Sequence, residues 1–383
     1  MEPLIVEARR TPIGTSFKGA LKETRAADLA IPLLRDLIQR LGTTTIDDVV
    51  LAESLYGGGD VARYAAHAVG LDHVPGLAMN RHCAGGLAAV LHAAGSIASG
   101  ERLVIAGGVQ SSSTAPLSME RSAPEHPWLF ESHRPSDDAP ADDMSITVGW
   151  NAARLSGQTR QDQDDWALRS HLRATSAIDD GVFADEIVTL DLSLPDGTVT
   201  TFGTDEHPRR STSGEKLASL SPLHPEIDGF SVTAGNSSGI NDGAAAVAVA
   251  HPDEAAAHDW RPLARIVGGV TVAVPPVRTG LAVIEAIEKL LHRTGTAASE
   301  VSLWEINEAF ASVPIAATRS LGIDESIVNP FGSGCSLGHP VAATGARMIA
   351  TLAHELSRRG EGSAVATMCA GGGMATAVLL RAA

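Results

Sequence analysis

Three features of the 383-residue chain predict an α/β fold with a mostly parallel sheet. Short apolar runs alternate with helical patterns through the first 115 residues, joined by short links. The same texture returns after Asp242, following a stretch of different character. Each half also closes in one order, over 84–108 and again over 332–373: a glycine-rich turn, a helix, a glycine stop, and an apolar strand ending near glycines. Alternation with short links layers helices on a sheet. The repeated order is a weak internal repeat at half-domain scale, far too long for a solenoid.

At the start of the chain "LIVEA" reads as a strand, and "RAADLAIPLLRDLIQRLG" as a helix stopped at Gly42. "DDVVLAESL" is a second strand, followed by the glycine turn "YGGGD" and the helix "VARYAAHAVG". "GLAMN" is a short strand, "GGLAAVLHAAGSIASG" a helix closed by Gly100, and "RLVIAGG" an apolar strand. The next region is rich in Pro, Ser and charge and begins as loop. It then offers a charged helix, "RQDQDDWALRSHLRATSAIDDG", with Thr159 and Asp162 as a capping pair. "DEIVTLDLSLPDGTVT" reads as a hairpin turning at Pro195-Asp196-Gly197. Past Asp242 come the strand "GAAAVAVA", the helix "RTGLAVIEAIEKLLHRTG", the strand "VSLWEIN" and the helix "EAFASVPIAATRSLG". "ATGARMIATLAHELSRRGEG" is a last helix and "SAVATMCAGGG" a last strand. The expected division is 1–115 as an N-terminal α/β half, 116–245 as an inserted loop domain or lid, and 246–383 as a C-terminal α/β half.

A formal net charge of −16 argues against nucleic acid or an anionic membrane as partner. Three cysteines form no disulfide framework, and no C-x-x-C pair suggests zinc, so reduced thiols in a cytoplasmic setting and no metal are expected. "MEPLIVEARRTPIG" enters a strand directly, without the pattern of a signal peptide. The uncharged run from His82 to Gly100 contains too many Gly, Ser and His residues for a membrane span and reads as a buried helix.

Two of the three cysteines sit in the same tetrapeptide, "CAGG", at Cys83 and Cys369. Cys83 lies between a strand end and a helix start. Unpaired N–H groups and the helix dipole there favour thiolate, and the flanking glycines leave backbone N–H groups open as an oxyanion hole. A buried structural cysteine is the plainer alternative. His339 is fixed between Gly338 and Pro340 ahead of a helix. Asn307 and Glu308 follow an apolar strand, at the sheet edge where open α/β folds hold ligands, although Asn307 could equally cap a helix. Cys369 ends an apolar strand and could be simple core. Together the four sites make a stronger case than any one of them.

"NRHCAGGL", "NEAF", "LGHP" and "MCAGGGM", in that order and spacing, resemble the motifs of the thiolases, and "VEARRTPIG", "AGNSSGINDGAAA" and "QDQDDWALRSH" resemble further family segments. The resemblance spans nearly the whole chain. It implies a duplicated five-layer α-β-α-β-α core with an inserted loop domain. It also implies reversible acyl transfer: 3-ketoacyl-CoA plus CoA gives acyl-CoA plus acetyl-CoA. Cys83 would be the nucleophile, His339 its base and an oxyanion ligand, Asn307 the holder of a water in that site, and Cys369 the acid or base at C2. The N–H groups of Cys83 and Gly371 would form a second oxyanion hole. Ser238 matches a pantetheine contact, and Met144 and Phe310 match walls around the thioester. CoA would be a co-substrate, with no permanent cofactor; a homodimer or homotetramer and a place in fatty acid metabolism are implied.

The chain departs from the pattern at Gly85 (usually Ser), at "MSITVGW" with Asp143 before it, at Ser333, in "HPVAATG", at Ala375 and at Ser221, where an arginine is common. The last change would shift CoA phosphate contacts to Arg209, Arg210 or Lys216. The alternatives are a catalytically altered thiolase-like acyl-CoA-binding protein and a ketoacyl-synthase-type condensing enzyme. Retention of Cys369 argues against the second. A Cys/His/Asn hydrolase leaves Cys369 without a role.

Overall fold

The computed structural model describes residues 2–54, 59–127, 131–193 and 197–383. The first half runs β1 (Leu4–Arg10), β2 (Gly14–Thr15), α1 (Ala26–Leu41), β3 (Asp48–Ala52), α2 (Val61–Ala68), β4 (Gly76–Met79), α3 (Gly85–Ala98) and β5 (Leu103–Gln110). Gly42 ends α1 in the left-handed region, φ 65°, returning its N–H to the Ile38 carbonyl. Most of the expected "YGGGD" turn, residues 56–58, lies outside the described residues.

The inserted stretch is less bare than its Pro-rich sequence suggests. It holds β6 (Met119–Glu120), β7 (Ala123–Pro127), a π-helix (Ser145–Trp150), α4 (Asn151–Leu155), α5 (Arg160–Asp179), β8 (Leu190–Ser193), β9 (Val199–Phe202) and α6 (Gly214–Ala218). The Thr159–Asp162 capping box opens α5. β8 and β9 pair as the expected hairpin, while residues 194–196 of its turn lie outside the described residues.

β10 (Asn241–Ala250), α7 (Pro252–Ala257), β11 (Ala264–Ala273), α8 (Ala282–Thr294), β12 (Leu303–Ile306), α9 (Ser312–Leu321), α10 (Gly334–Leu337), α11 (Thr344–Arg359), β13 (Ser363–Ala370) and β14 (Met374–Ala382) complete the chain. β11 and β14 are additions to the elements expected from sequence. α9 begins later than its apolar pattern suggests: Asn307 caps nothing, because the cap position is Ala311.

The expected mostly parallel sheet is corrected to a mixed one. Its strands run β12-β13-β14-β11-β1-β10-β5-β3-β4, with β2 added against β10. The β12–β13, β3–β5 and β3–β4 pairs are parallel, and the other neighbours on this path are antiparallel. An apolar run buried on both faces looks the same in either direction, so periodicity is blind to this. The order also exposes the duplication. β3, β5, β10 and β1 of one half correspond to β12, β13, β14 and β11 of the other, and a bridge from Trp304 to Val328 stands where β4 stands. β10 pairs with β1 and β5, so the line drawn at 245/246 cuts a strand of the first half-sheet; a division after Ala250 keeps it whole.

Three apolar clusters fill the spaces between layers. α1 and α2 cover the outer face of the first half-sheet. α3 and α11 lie between the half-sheets. α8 and α9 cover the outer face of the second. The first half of α3, residues 85–90, is buried while its far end is exposed, and no described helix is long and apolar enough to cross a membrane.

The two middle helices approach at their first turns. A Cβ on Gly86 would stand 2.6 Å from Ala346 N and 3.0 Å from the Ala342 carbonyl oxygen. No Cβ at Gly95, on the exposed end of the same helix, would meet any atom within 4 Å. Gly86→Ala is therefore expected to destabilise the fold by about 1–3 kcal/mol, as overpacking does. Gly95→Ala should stabilise it by about 0.5–1 kcal/mol through helix propensity. Urea denaturation of the two variants checks the opposite signs.

Candidate active site

Cys83 follows β4 through a turn held in an uncommon conformation. His82 has φ 45°, its N–H donates to Asn80 Oδ1 at 2.8 Å, and Arg81 Nη1 reaches Thr271 Oγ1 on β11 at 2.7 Å. Ala84 then caps α3. A Cβ at position 85 would lie 2.8 Å from the Ala52 Cβ, which explains glycine where the related pattern carries serine.

Cys83 is half-buried, and its surroundings work against the thiolate expected there. Burial pushes its thiol up to about 11, outweighing the N–H groups of Gly371 and of Cys83 itself that are directed at the sulfur. Those two N–H groups converge on the Cys83 sulfur. Cys369, in β13 opposite Ala375, is buried and close enough to Cys83 to be affected by its charge. Burial raises its thiol further. Gly372 and Gly373 turn the chain with φ 82° and 77°, and Ser132 packs over the turn, leaving no space for side chains.

His339 is placed by residues that the motif does not contain. Its N–H donates to Asn241 Oδ1 at 3.0 Å, and the same carboxamide fills the space beside Gly338, whose φ is 98°. Its Nδ1 lies 2.7 Å from Thr344 Oγ1. The Thr344 hydroxyl donates to the Pro340 carbonyl at 2.9 Å, so toward the ring it can only accept. Nδ1 therefore carries the proton, and Nε2 presents a lone pair. That atom is buried and has no partner among the described residues. Burial, followed by the nearby Arg347 charge, lowers the imidazole to about 4, so it is neutral at pH 7.

Asn307 continues from β12, its N–H donating to the Thr367 carbonyl at 3.0 Å, two residues before Cys369. Its Oδ1 would be 2.9 Å from a Cβ at Gly334, which places it against the turn leading to His339. It is fully buried, and neither side-chain polar atom has a partner among the described residues. Glu308 is the opposite case. Its carboxylate accepts from Trp166 Nε1, Ser170 Oγ, Asn329 Nδ2 and Cys335 N, and so it anchors the turn. Ser333, another departure, donates to Glu305 within a buried ion pair with Arg347.

A second group lies beside these residues. Met144 and Phe310 pack on the cluster that contains Cys369. The Phe310 ring sits against Gly149 of the π-helix, where a Cβ would be 2.8 Å from it. Ser238 joins through its N–H to the Ala309 carbonyl at 2.9 Å. Of the candidate phosphate contacts, Arg210 is engaged with Asp179 at 2.6 Å and Lys216 with the Ser211 carbonyl. Thr344, Asn241 and Arg347 were missed in the sequence, where each looks like an ordinary helix or turn residue.

Models described as thiolase, N-terminal domain, and thiolase, C-terminal domain, match residues 4–253 and 260–382. The 3-oxoadipyl-CoA/3-oxo-5,6-dehydrosuberyl-CoA thiolase of Escherichia coli K12 is 39% identical over 400 residues, covering 99% of each chain. An acetyl-CoA acetyltransferase of Syntrophomonas wolfei is 36% identical, covering 100% of this chain and 99% of its own. The crystal structure of the Bacillus anthracis acetyl-CoA acetyltransferase superposes with a TM-score of 0.92 at 36% identity, covering 100% of this chain and 99% of that one. Human mitochondrial 3-ketoacyl-CoA thiolase gives 0.89 at 32%, with the same coverage.

A thiol held near 11 reacts through a small thiolate fraction that grows with pH. Iodoacetamide modification of Cys83, followed by mass spectrometry, should therefore accelerate throughout the range from about pH 6 to about pH 10. A rate that levels off below about pH 8 contradicts it. The matches run through both halves of the chain at high identity and coverage, and the chain belongs to the thiolase family of acyltransferases.

Proposed function

We propose that the protein transfers an acyl group between CoA and acetyl-CoA through an acyl-enzyme on Cys83: 3-ketoacyl-CoA plus CoA gives acyl-CoA plus acetyl-CoA. One observation carries the reading. Among the described residues, His339 Nε2 and both polar atoms of Asn307 are buried without protein partners, and Asn307 lies against Gly334 in the segment that leads to His339. Buried polar atoms are normally satisfied, so a cluster of unsatisfied ones marks where a ligand oxygen or an ordered water belongs.

In this reading Cys83 begins as a thiol and gives its proton to the neutral His339 Nε2 as the sulfur attacks the 3-keto carbon. The oxyanion forms against the N–H groups of Cys83 and Gly371. The C2–C3 bond then breaks toward C2. The enolate oxygen is held by the imidazole, now a donor at Nε2, and by a water on Asn307. Cys369 delivers its proton to C2, releasing acetyl-CoA. In the second half-reaction the Cys369 thiolate takes the proton of the incoming CoA thiol, and CoA attacks the thioester and carries the acyl group away. The departing Cys83 sulfur takes its proton back from His339. The elevated thiol of Cys369 suits a proton donor whose charged form is brief. Ser238 would meet the pantetheine arm, and Met144 and Phe310 the thioester.

Several relatives are named for β-ketoadipyl-CoA, a dicarboxylic acyl thioester, so such a substrate stands beside acetoacetyl-CoA and longer 3-ketoacyl-CoAs in the test. Turnover of at least one is expected with CoA, followed by loss of ketoacyl absorbance. Cys369→Ala should still show an acyl adduct on Cys83 by intact mass but lose C2 proton exchange. Absence of turnover by folded protein on every member sinks the proposal, and absence of an acyl adduct on Cys83 as well favours an acyl-CoA-binding protein.

The proposal includes self-assembly. β4 pairs with β3 on one edge and has no strand on its other edge among the described residues. An open edge invites another strand, and a second copy offers the identical one. Light scattering is expected to give a dimer or tetramer mass; a monomer refutes it.

A further inference from the structure

Outside the reacting groups, the inserted segment carries a histidine held between two carboxylates. His224 Nε2 is 2.7 Å from Asp143 Oδ2, and its Nδ1 is 2.7 Å from Glu226 Oε1. Ionised carboxylates only accept, and a neutral imidazole has one N–H and one lone pair. Serving both contacts therefore requires the doubly protonated ring. Asp143 and Glu226 are the charged groups facing it, and Phe230 packs edge-on against it with centroids 5.0 Å apart. Phe230 in turn rests on Trp150 at the end of the π-helix, 5.3 Å away.

Asp143 connects this clasp to the site. Its other oxygen accepts from Ser145 N at 2.8 Å and Ser145 Oγ at 2.6 Å, and its carbonyl accepts from Thr147 N at 3.1 Å. It thus caps the π-helix at one end, where Met144 enters it, while Gly149 further along backs the Phe310 ring. The clasp holds the cap, the cap sets the helix, and the helix carries one wall of the pocket and supports the other.

We propose that His224, as an imidazolium clasped between Asp143 and Glu226, is a positioning residue that sets the Met144–Phe310 walls against the reacting thioester. This rests on the thiolase reading of the site. The two carboxylates, Glu226 first, raise the imidazole above its ordinary value, against a smaller opposing effect of burial. A group whose folded value is raised keeps its interaction below the ordinary histidine value and loses it as pH climbs through the raised one. The wall should therefore be firm in acid and slacken in alkali.

The experiment compares unaltered protein with His224→Gln and His224→Arg, measuring kcat and KM for the 3-ketoacyl-CoA turned over fastest, from about pH 6 to about pH 9.5. Glutamine cannot donate to both carboxylates at these two positions, whereas arginine keeps a permanent charge and several donors. At the acid end His224→Gln should show KM raised about two- to fivefold, the scale of a partly exposed ion pair, with kcat nearly unchanged. The unaltered protein should approach the glutamine variant's KM as pH rises, while His224→Arg stays low throughout. Equal KM for His224→Gln and unaltered protein across the range overturns the proposal. So does a ring resonance that titrates by NMR at the same pH in Asp143→Asn and in unaltered protein. Intact-mass detection of an acyl adduct on Cys83 separates the two failures. No adduct in unaltered protein refutes the thiolase reading and this proposal with it, whereas an adduct with unchanged His224→Gln kinetics refutes this one alone.

Discussion

The close crossing of α3 and α11 is the contact on which the site depends. Gly86 faces the Ala342 carbonyl and the Ala346 N–H, Gly345 faces the backbone of Leu87, and Gly108 of β5 faces the Ala342 carbonyl as well. Any larger side chain at these positions would force the helices and the strand apart. Cys83 stands three residues before Gly86, and His339 three before Ala342. Backbone contact here sets the start of the helix that follows Cys83 against the start of the helix that follows His339. The duplicated half-sheets then serve as two rigid mounts, and the third set of residues, Asn307 and Cys369, comes from neighbouring strand ends of the second mount.

The interior sorts its polar groups into two kinds. Glu308 has four donors, Glu305 has Arg347 and Ser333, and the buried Arg10 is shared between Asp205 and Glu186. These networks tie the inserted segment and the glycine turns to the core, and of their atoms Arg347 Nε has no partner among the described residues. Removing one partner would strand the other in a poor solvent for charge. His339 Nε2 and the Asn307 carboxamide are left open in the same surroundings. Burial also bears on their state: it pushes the thiols up and the imidazole down, against a standing thiolate–imidazolium pair.

Much of this was legible in advance. Gly42 stopping α1, the Thr159–Asp162 box and the paired Leu190 and Phe202 strands all arise from local rules, because each is a contact between residues near in sequence. The four motif positions were readable as well, since cysteine, histidine and asparagine beside glycines are unusual enough to stand out. Strand direction was not readable: β10 and β14 have the same apolar run whichever way they lie. β14 was hidden behind the Gly371–Gly373 turn, where glycine signals that one strand ends but not that another begins. Thr344 and Asn241 escaped because their importance is a hydrogen bond to His339, and Asn241 lies 98 positions away.

The sequence by itself determined the alternation of elements, the duplication, and which residues could do chemistry, because each depends on residue type and short spacing. Tertiary structure decided the state of those residues. The helix N-terminus alone argues for thiolate at Cys83, yet desolvation in the folded chain opposes it, and no local pattern records how much water is excluded. It likewise chose the tautomer of His339 through Thr344 and Pro340, and joined Asp143 to His224 across 81 residues. Desolvation and long-range hydrogen bonds are sums over neighbours, and neighbours exist only after folding.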